Sequence, residues 1–307
     1  MSLLDETAAG VFTIAVTPFL PDGALDLDSI DRMVDFYVEK GASGLTILGI
    51  MGEAGKLSAD ESAAVIARVV ARTDLPVIVG VSSPGLAGMG ALSKSAMDLG
   101  AVGVMVAPPW TLKSDAQIVN YYHDVAETLG DAPFVLQDFP LVTSVVVPVS
   151  AILQIVEDCP TCVMLKHEDW PGLAKISALR AASDNGARRI SILCGNGGQF
   201  LPEEMERGAD GAMTGFAYPE MMAQVIAAHN AGEPDRMRDI FDAYLPIVRY
   251  ESQPGLGLAV RKHILAGRGA IAHTTVRKPG AALAGPAIGE VARLQARLTR
   301  RLAELSA

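Results

Sequence analysis

Eight short runs rich in apolar and β-branched residues, each followed by a longer stretch of helical periodicity, recur from Val11 to about residue 230. The runs fall at 11–16, 45–48, 77–79, 103–106, 134–137, 162–165, 190–194 and 211–214. A strand that is apolar on both faces must be covered on both, and alternation with helices is how a parallel sheet gains that cover. In the first helical stretch Ile30, Met33, Val34, Tyr37 and Val38 recur at the spacing of one buried face. Helix ends are marked as well. Ser58 with Glu61 and Ser114 with Gln117 form capping boxes, and Gly41, Gly100 and Gly130 stand where a helix should close on a left-handed residue. Eight βα units could close into a barrel or open into a doubly wound sheet. No dinucleotide fingerprint follows the first run, and the number of units matches a (β/α)8 TIM barrel, which is the expected fold. Residues 1–232 would form this catalytic barrel and 233–307 a C-terminal helical extension, with helices near 235–250, 256–266 and 288–305.

The acidic balance, a formal net charge of −10 over 307 residues without a long basic cluster, excludes nucleic acid as an expected partner. No basic segment followed by a cleavable apolar one opens the chain, and no uninterrupted apolar stretch approaches about eighteen residues. No membrane association is expected, and a cytoplasmic location is. The pair Cys159 and Cys162 closes a helix where a redox motif would open one, so plain structural thiols are expected. Five scattered histidines and no His/Cys cluster predict no metal, and no motif calls for another cofactor.

In a (β/α)8 barrel the site is built from the C-terminal ends of the strands and the loops after them. The polar residues at such ends are Thr17, the turn from Gly49 to Glu53, Ser82 and Ser83, Gln137 and Asp138, Lys166 to Asp169, Gly195 to Gln199, and Thr214, with Trp110 after the fourth run. Lys166 follows the apolar run Val163, Met164 and Leu165, so its ammonium should be partly desolvated. Desolvation disfavours the charged amine, which is what a nucleophilic lysine needs to attack a ketone. A lysine ion-paired with Glu168 or Asp169 at the barrel rim is the alternative. Glu168 lies within reach of a carbon attached to the Lys166 amine and could act as a general base, or could simply balance the lysine. His167 should point the other way and pack. The turn from Gly49 to Glu53 can aim backbone N–H groups at a carboxylate.

The lysine at the end of the sixth run and the G-x-x-G-E turn after the second resemble the class I aldolase and dehydratase superfamily that includes dihydrodipicolinate synthase and N-acetylneuraminate lyase. Within it, GIMGEAGKL at 49–57, LQDFPL at 136–141, VMLKHEDWPG at 163–172 and ILCGNGG at 192–198 resemble the L-2-keto-3-deoxyarabonate dehydratases. The likeness spans nearly the whole chain. It aligns Gln137 with a proton-relaying tyrosine of the synthase and the sialate lyase, Ile50 and Met51 with the synthase's threonine pair, Val142 with its arginine, and Trp110 with a tyrosine. Glutamine cannot serve as acid or base, which argues against the synthase activity.

The resemblance implies Lys166 as the Schiff-base lysine and Glu168 as the base, acting on a small 2-keto acid. The expected reaction is dehydration of L-2-keto-3-deoxyarabonate to 2,5-dioxopentanoate. Backbone groups of Met51, Gly52 and Glu53 would hold the C1 carboxylate, with Gln137, Asn196 and Trp110 contacting the hydroxyl end. A class I aldolase on the same imine and a catalytically silent keto-acid-binding barrel are the competing readings. The resemblance also implies a homotetramer or homodimer.

Overall fold

The computed structural model describes residues 2–170 and 172–305. Pro171 of the lysine motif and the outer limits of the two expected domains, at 1 and 307, lie outside them. Eight parallel strands form a closed barrel in sequence order, with β1 paired to β8. They are β1 (Gly10–Ile14), β2 (Gly44–Ile47), β3 (Val77–Gly80), β4 (Gly103–Val106), β5 (Phe134–Asp138), β6 (Cys162–His167), β7 (Ser191–Cys194) and β8 (Gly211–Ala212). The helices α1 (Leu27–Glu39), α2 (Ala59–Arg72), α3 (Leu86–Asp98), α4 (Asp115–Leu129), α5 (Pro140–Thr143), α6 (Val149–Asp158), α7 (Leu173–Asp184), α8 (Leu201–Glu206) and α9 (Pro219–Asn230) follow their strands. Beyond the barrel come α10 (Pro234–Glu251), α11 (Gly257–Gly267) and α12 (Gly285–Leu305). No helix among the described residues is long and apolar enough to cross a membrane.

The fold is thus the (β/α)8 TIM barrel with a helical C-terminal extension. Two apolar layers hold it. Phe12, Ile14, Ile78, Met105, Val135 and Leu193 fill the barrel interior, and Leu4 closes its lower end. A larger layer between sheet and helices takes in Ile30, Met33, Val34 and Tyr37 of α1. Val38, expected on that face, is 45% exposed, because the buried stripe of α1 is narrower than the run of apolar residues. Burying a large aliphatic side chain contributes roughly 1.5–3 kcal/mol, so this double layer is the main stabilising term.

The element ends differ from expectation in instructive ways. β6 runs two residues further than the apolar run, because Lys166 and His167 still pair with Gln137 and Asp138 of β5. β8 is regular only over Gly211–Ala212, yet Met213 N–H donates to Cys194 O and Ile14 N–H to Thr214 O, carrying the ladder past it. The Ser58 box is reciprocal. At Ser114 it is not: the hydroxyl accepts from Gln117 N–H, but the Gln117 side chain reaches Lys113 N–H instead of the cap. Gly41, Gly100 and Gly130 all take positive φ, at 88°, 102° and 60°.

Cys159, Cys162 and Cys194 are buried free thiols. Cys194 bonds to Glu204 of α8, whose carboxyl is buried, has one oxygen (Oε2) without a partner, and is pushed up by burial to about 8. A carboxyl with a raised folded-state pKa binds its proton more tightly folded than unfolded, so it contributes stability at low pH that is lost as pH rises through the folded value. Glu204→Gln should therefore flatten the fall in melting temperature between about pH 5 and about pH 8. Thermal unfolding of the two proteins across that range checks this, and an unchanged slope would remove Glu204 as its source.

Candidate active site

A cavity of about 450 Å³ opens at the C-terminal end of the barrel, and Gln137, Lys166, Glu168, Asn196 and Thr214 all line it. The cause is strand register. Gln137 pairs with Lys166 across β5 and β6, and Lys166 with Leu193 across β6 and β7, so the two polar side chains stand side by side above the apolar interior. Lys166 and Glu168 are each only 5% exposed. Lys166 Nζ lies 2.9 Å from Glu168 Oε2, and Gln137 Nε2 donates to the same oxygen at 2.6 Å. The two readings of the lysine therefore meet in one arrangement: it is ion-paired, but inside the cavity and with Glu168. Asp169 pairs with Lys175 instead, at 2.7 Å.

Glu168 is fixed from behind as well. Its backbone N–H donates to Asp138 O and its carbonyl accepts from Asn196 Nδ2 at 3.0 Å. Its side chain lies directly over Gly195, where a Cβ would overlap the Glu168 carboxymethyl group. The absence of a side chain at 195 is what gives the carboxylate its place. The glycine-rich loop then turns through left-handed residues at Asn196 and Gly197 (φ 51° and 67°), and Gly197 N–H donates to Thr214 Oγ1 at 2.8 Å.

One layer outward the strand ends are tied by charge. Lys175 of α7 reaches Asp138 at 2.6 Å and Val147 O at 2.8 Å. His167 is buried on this outer side, as expected, with Nδ1 3.9 Å from Asp138 Oδ2. Burial lowers its imidazole to about 4 and raises the Asp138 carboxyl to about 6 against the opposing pull of Lys175.

The turn after β2 is a short 3₁₀ segment, Ile50–Gly52, with Ile50 and Met51 on the cavity wall. Non-glycine residues in the left-handed region bracket it, Leu48 at φ 54° and Glu53 at φ 58°. Such a conformation costs roughly 1–2 kcal/mol and persists only where the surroundings dictate it. The first amides of the turn, those of Ile50 and Met51, have no acceptor within it. Those of Gly52 and Glu53 donate to Gly49 O and Ile50 O, both at 3.0 Å. Gly52 and Glu53, expected at the substrate, thus stand behind the wall, because the tight turn consumes their N–H groups. Trp110 stands apart too: it is 69% exposed, with Lys113 Nζ 5.6 Å from its ring centroid, and does not line the cavity.

The far side of the cavity comes from the C-terminal extension, beyond any strand end. Glu251, Arg261 and the loop between α10 and α11 line it. Arg261 Nε donates to Glu251 Oε1 at 2.6 Å, Arg261 Nη2 to Gly215 O, and Ala217 N–H to Glu251 Oε2. Lys262 is fully buried, with its ammonium on Glu53 Oε1 (2.5 Å), Thr17 O (2.8 Å) and Thr275 O (2.8 Å). Two adjacent cations, Arg261 and Lys262, flanked by Leu258 to Val260 and by Ile264 and Leu265 were the available signal, since buried charges require buried partners. Among the described residues no cluster of three or more His, Cys, Asp or Glu side chains is placed to hold a metal.

Known proteins resemble this chain throughout its length. An L-2-keto-3-deoxyarabonate dehydratase of Azospirillum brasilense is 29% identical over 286 residues, 88% of each chain. A 4-hydroxy-tetrahydrodipicolinate synthase of Sorangium cellulosum is 32% identical over 230 residues, 73% of this chain and 75% of its own. The crystal structure of a dihydrodipicolinate synthase from Rhodopseudomonas palustris superposes with a TM-score of 0.95 at 52% identity, covering 97% of this chain and all of the other. Residues 7–294 match the Dihydrodipicolinate synthetase family, a family of lyases and dehydratases, and the chain belongs to it.

Proposed function

We propose that this protein is a lysine Schiff-base dehydratase that converts L-2-keto-3-deoxyarabonate to 2,5-dioxopentanoate and water. The observation that carries this reading is the buried contact of Lys166 Nζ with Glu168 Oε2 at 2.9 Å, beside a glutamine that cannot relay protons. Lys166 condenses with the C2 ketone, releasing one water and forming an iminium that acidifies the C3 hydrogens. Glu168, adjacent to that nitrogen, takes a C3 proton to give the enamine. The enamine electrons expel the C4 hydroxyl, which leaves as water with the proton Glu168 returns. Loss of a C5 proton and protonation at C3 move the unsaturation to the C5 enol, which becomes the aldehyde. One water hydrolyses the imine, so the sum is loss of a single water with no carbon–carbon cleavage.

The unspent amides of Ile50 and Met51 receive the C1 carboxylate, while Gln137 and Asn196 face the rest of the substrate. Residues 1–232 carry the chemistry, and the extension from 233 completes the wall. The synthase reaction named for the Sorangium relative needs groups this chain lacks by the alignment of the resemblance, with Gln137 and Val142 in place of tyrosine and arginine. The enzyme works in the cytoplasm as a homodimer or homotetramer, as the family resemblance implies.

Incubation with L-2-keto-3-deoxyarabonate, with product mass followed in one half and borohydride reduction with peptide mapping in the other, tests the reading. An adduct on Lys166 together with 2,5-dioxopentanoate supports it. Pyruvate plus glycolaldehyde would make the protein an aldolase, and no adduct with any keto acid would remove the Schiff base. Lys166→Ala should abolish trapping. Glu168→Gln should retain trapping and lose turnover by about 10²–10⁴-fold, the usual scale for a lost general base. Gly195→Ala should resemble Glu168→Gln in steady-state assay, because the added methyl displaces the carboxylate without touching the amine.

A further inference from the structure

We infer that Lys262, reaching in from α11, is a positioning residue for the substrate carboxylate, acting through Glu53 on the Ile50–Gly52 turn. This rests on the reading that the Ile50 and Met51 amides hold that carboxylate. The geometry is a chain of short contacts. Lys262 donates to Glu53 Oε1, and the other oxygen, Oε2, accepts from Lys56 Nζ at 2.8 Å and from Arg277 N–H at 3.0 Å. Three donors thus hold one carboxylate, and they leave Glu53 no rotational freedom. Its own backbone is the left-handed residue that ends the turn. Thr17 joins the two sides: its carbonyl accepts from Lys262, and its hydroxyl donates to Gly52 O at 2.5 Å.

The clamp extends into the segment between α11 and α12. The Arg277 guanidinium binds Glu61, Gly23 O and Lys56 O, and both Lys262 and Arg277 lie over the Phe19 ring at 4.6 and 4.3 Å from its centroid. None of these charges lines the cavity. Their effect on ligand is transmitted by where the Ile50 and Met51 amides point. Backbone donors bind an anion well only when both converge on it, so a turn freed of its clamp keeps the donors but loses the convergence.

Two probes separate this role from general support of the fold: pyruvate, and methyl pyruvate, which has the same ketone without the charge. Borohydride trapping on Lys166 is titrated with each for the parent protein, Lys262→Met and Lys56→Ala. Lys262→Met should raise the half-saturating pyruvate concentration about tenfold, the scale of one charge-assisted hydrogen bond, and leave methyl pyruvate trapping unchanged. Lys56→Ala, at a half-buried position, should give a smaller rise of the same selectivity and serves if Lys262→Met does not fold. Equal loss with both probes, or no change with either, would overturn the positioning role. A parent protein that traps the ester as readily as the acid would instead overturn the carboxylate assignment of the turn.

Discussion

The constraint on which the site depends is burial: a charge sunk into the mouth of the barrel must bring its partner with it. Lys166 is the last residue but one of β6, and Glu168, two residues on and still held by the ladder to β5, supplies the partner. The pair is buried, so neither charge can be removed without stranding the other, and the site stays assembled without ligand. That constraint also explains Gln137. An amide beside Glu168 donates one hydrogen bond and adds no further charge to a crowded, desolvated place.

Around this centre three further cations form an outer ring with a mechanical task. Lys175 joins the ends of β5 and β6, Arg261 joins the β8 loop to α10, and Lys262 joins the β2 turn to α11. Each pairs groups far apart in sequence, and each meets backbone carbonyls as well as carboxylates. Buried ion pairs contribute little net stability once desolvation is counted, so their value here is geometric. A lysine, a carboxylate and two amides must agree in position within a fraction of an ångström to act on one small molecule.

The amino-acid sequence carried the barrel plainly, since strands buried on both faces read as short apolar runs and helices as one-sided stripes. Lys166, Glu168, Gln137 and Asn196 were legible for the same reason: strand ends can be counted, and register brings their side chains to one mouth. Gly52 and Glu53 were placed too far forward because which amide of a tight turn is spent depends on its 3₁₀ hydrogen bonds, and these leave no pattern in residue type. Trp110 was expected at the substrate from its place after the fourth run and from the resemblance; the loop after β4 turns it outward. Arg261 and Lys262 escaped because helical periodicity says that a face is buried but not what waits beneath it. Gly195 stood among the strand-end candidates without a role of its own, and only the Glu168 side chain above it reveals its purpose.

The contact between Glu53 and Lys262 spans 209 positions. A ribosome delivers the second half of the turn, the whole barrel and α10 before the lysine that locks the turn exists. Loop closure over such a distance is entropically late as well as late in synthesis. The strands can therefore pair and the Lys166 amine can be buried while the turn after β2 still lacks the contact that fixes Glu53.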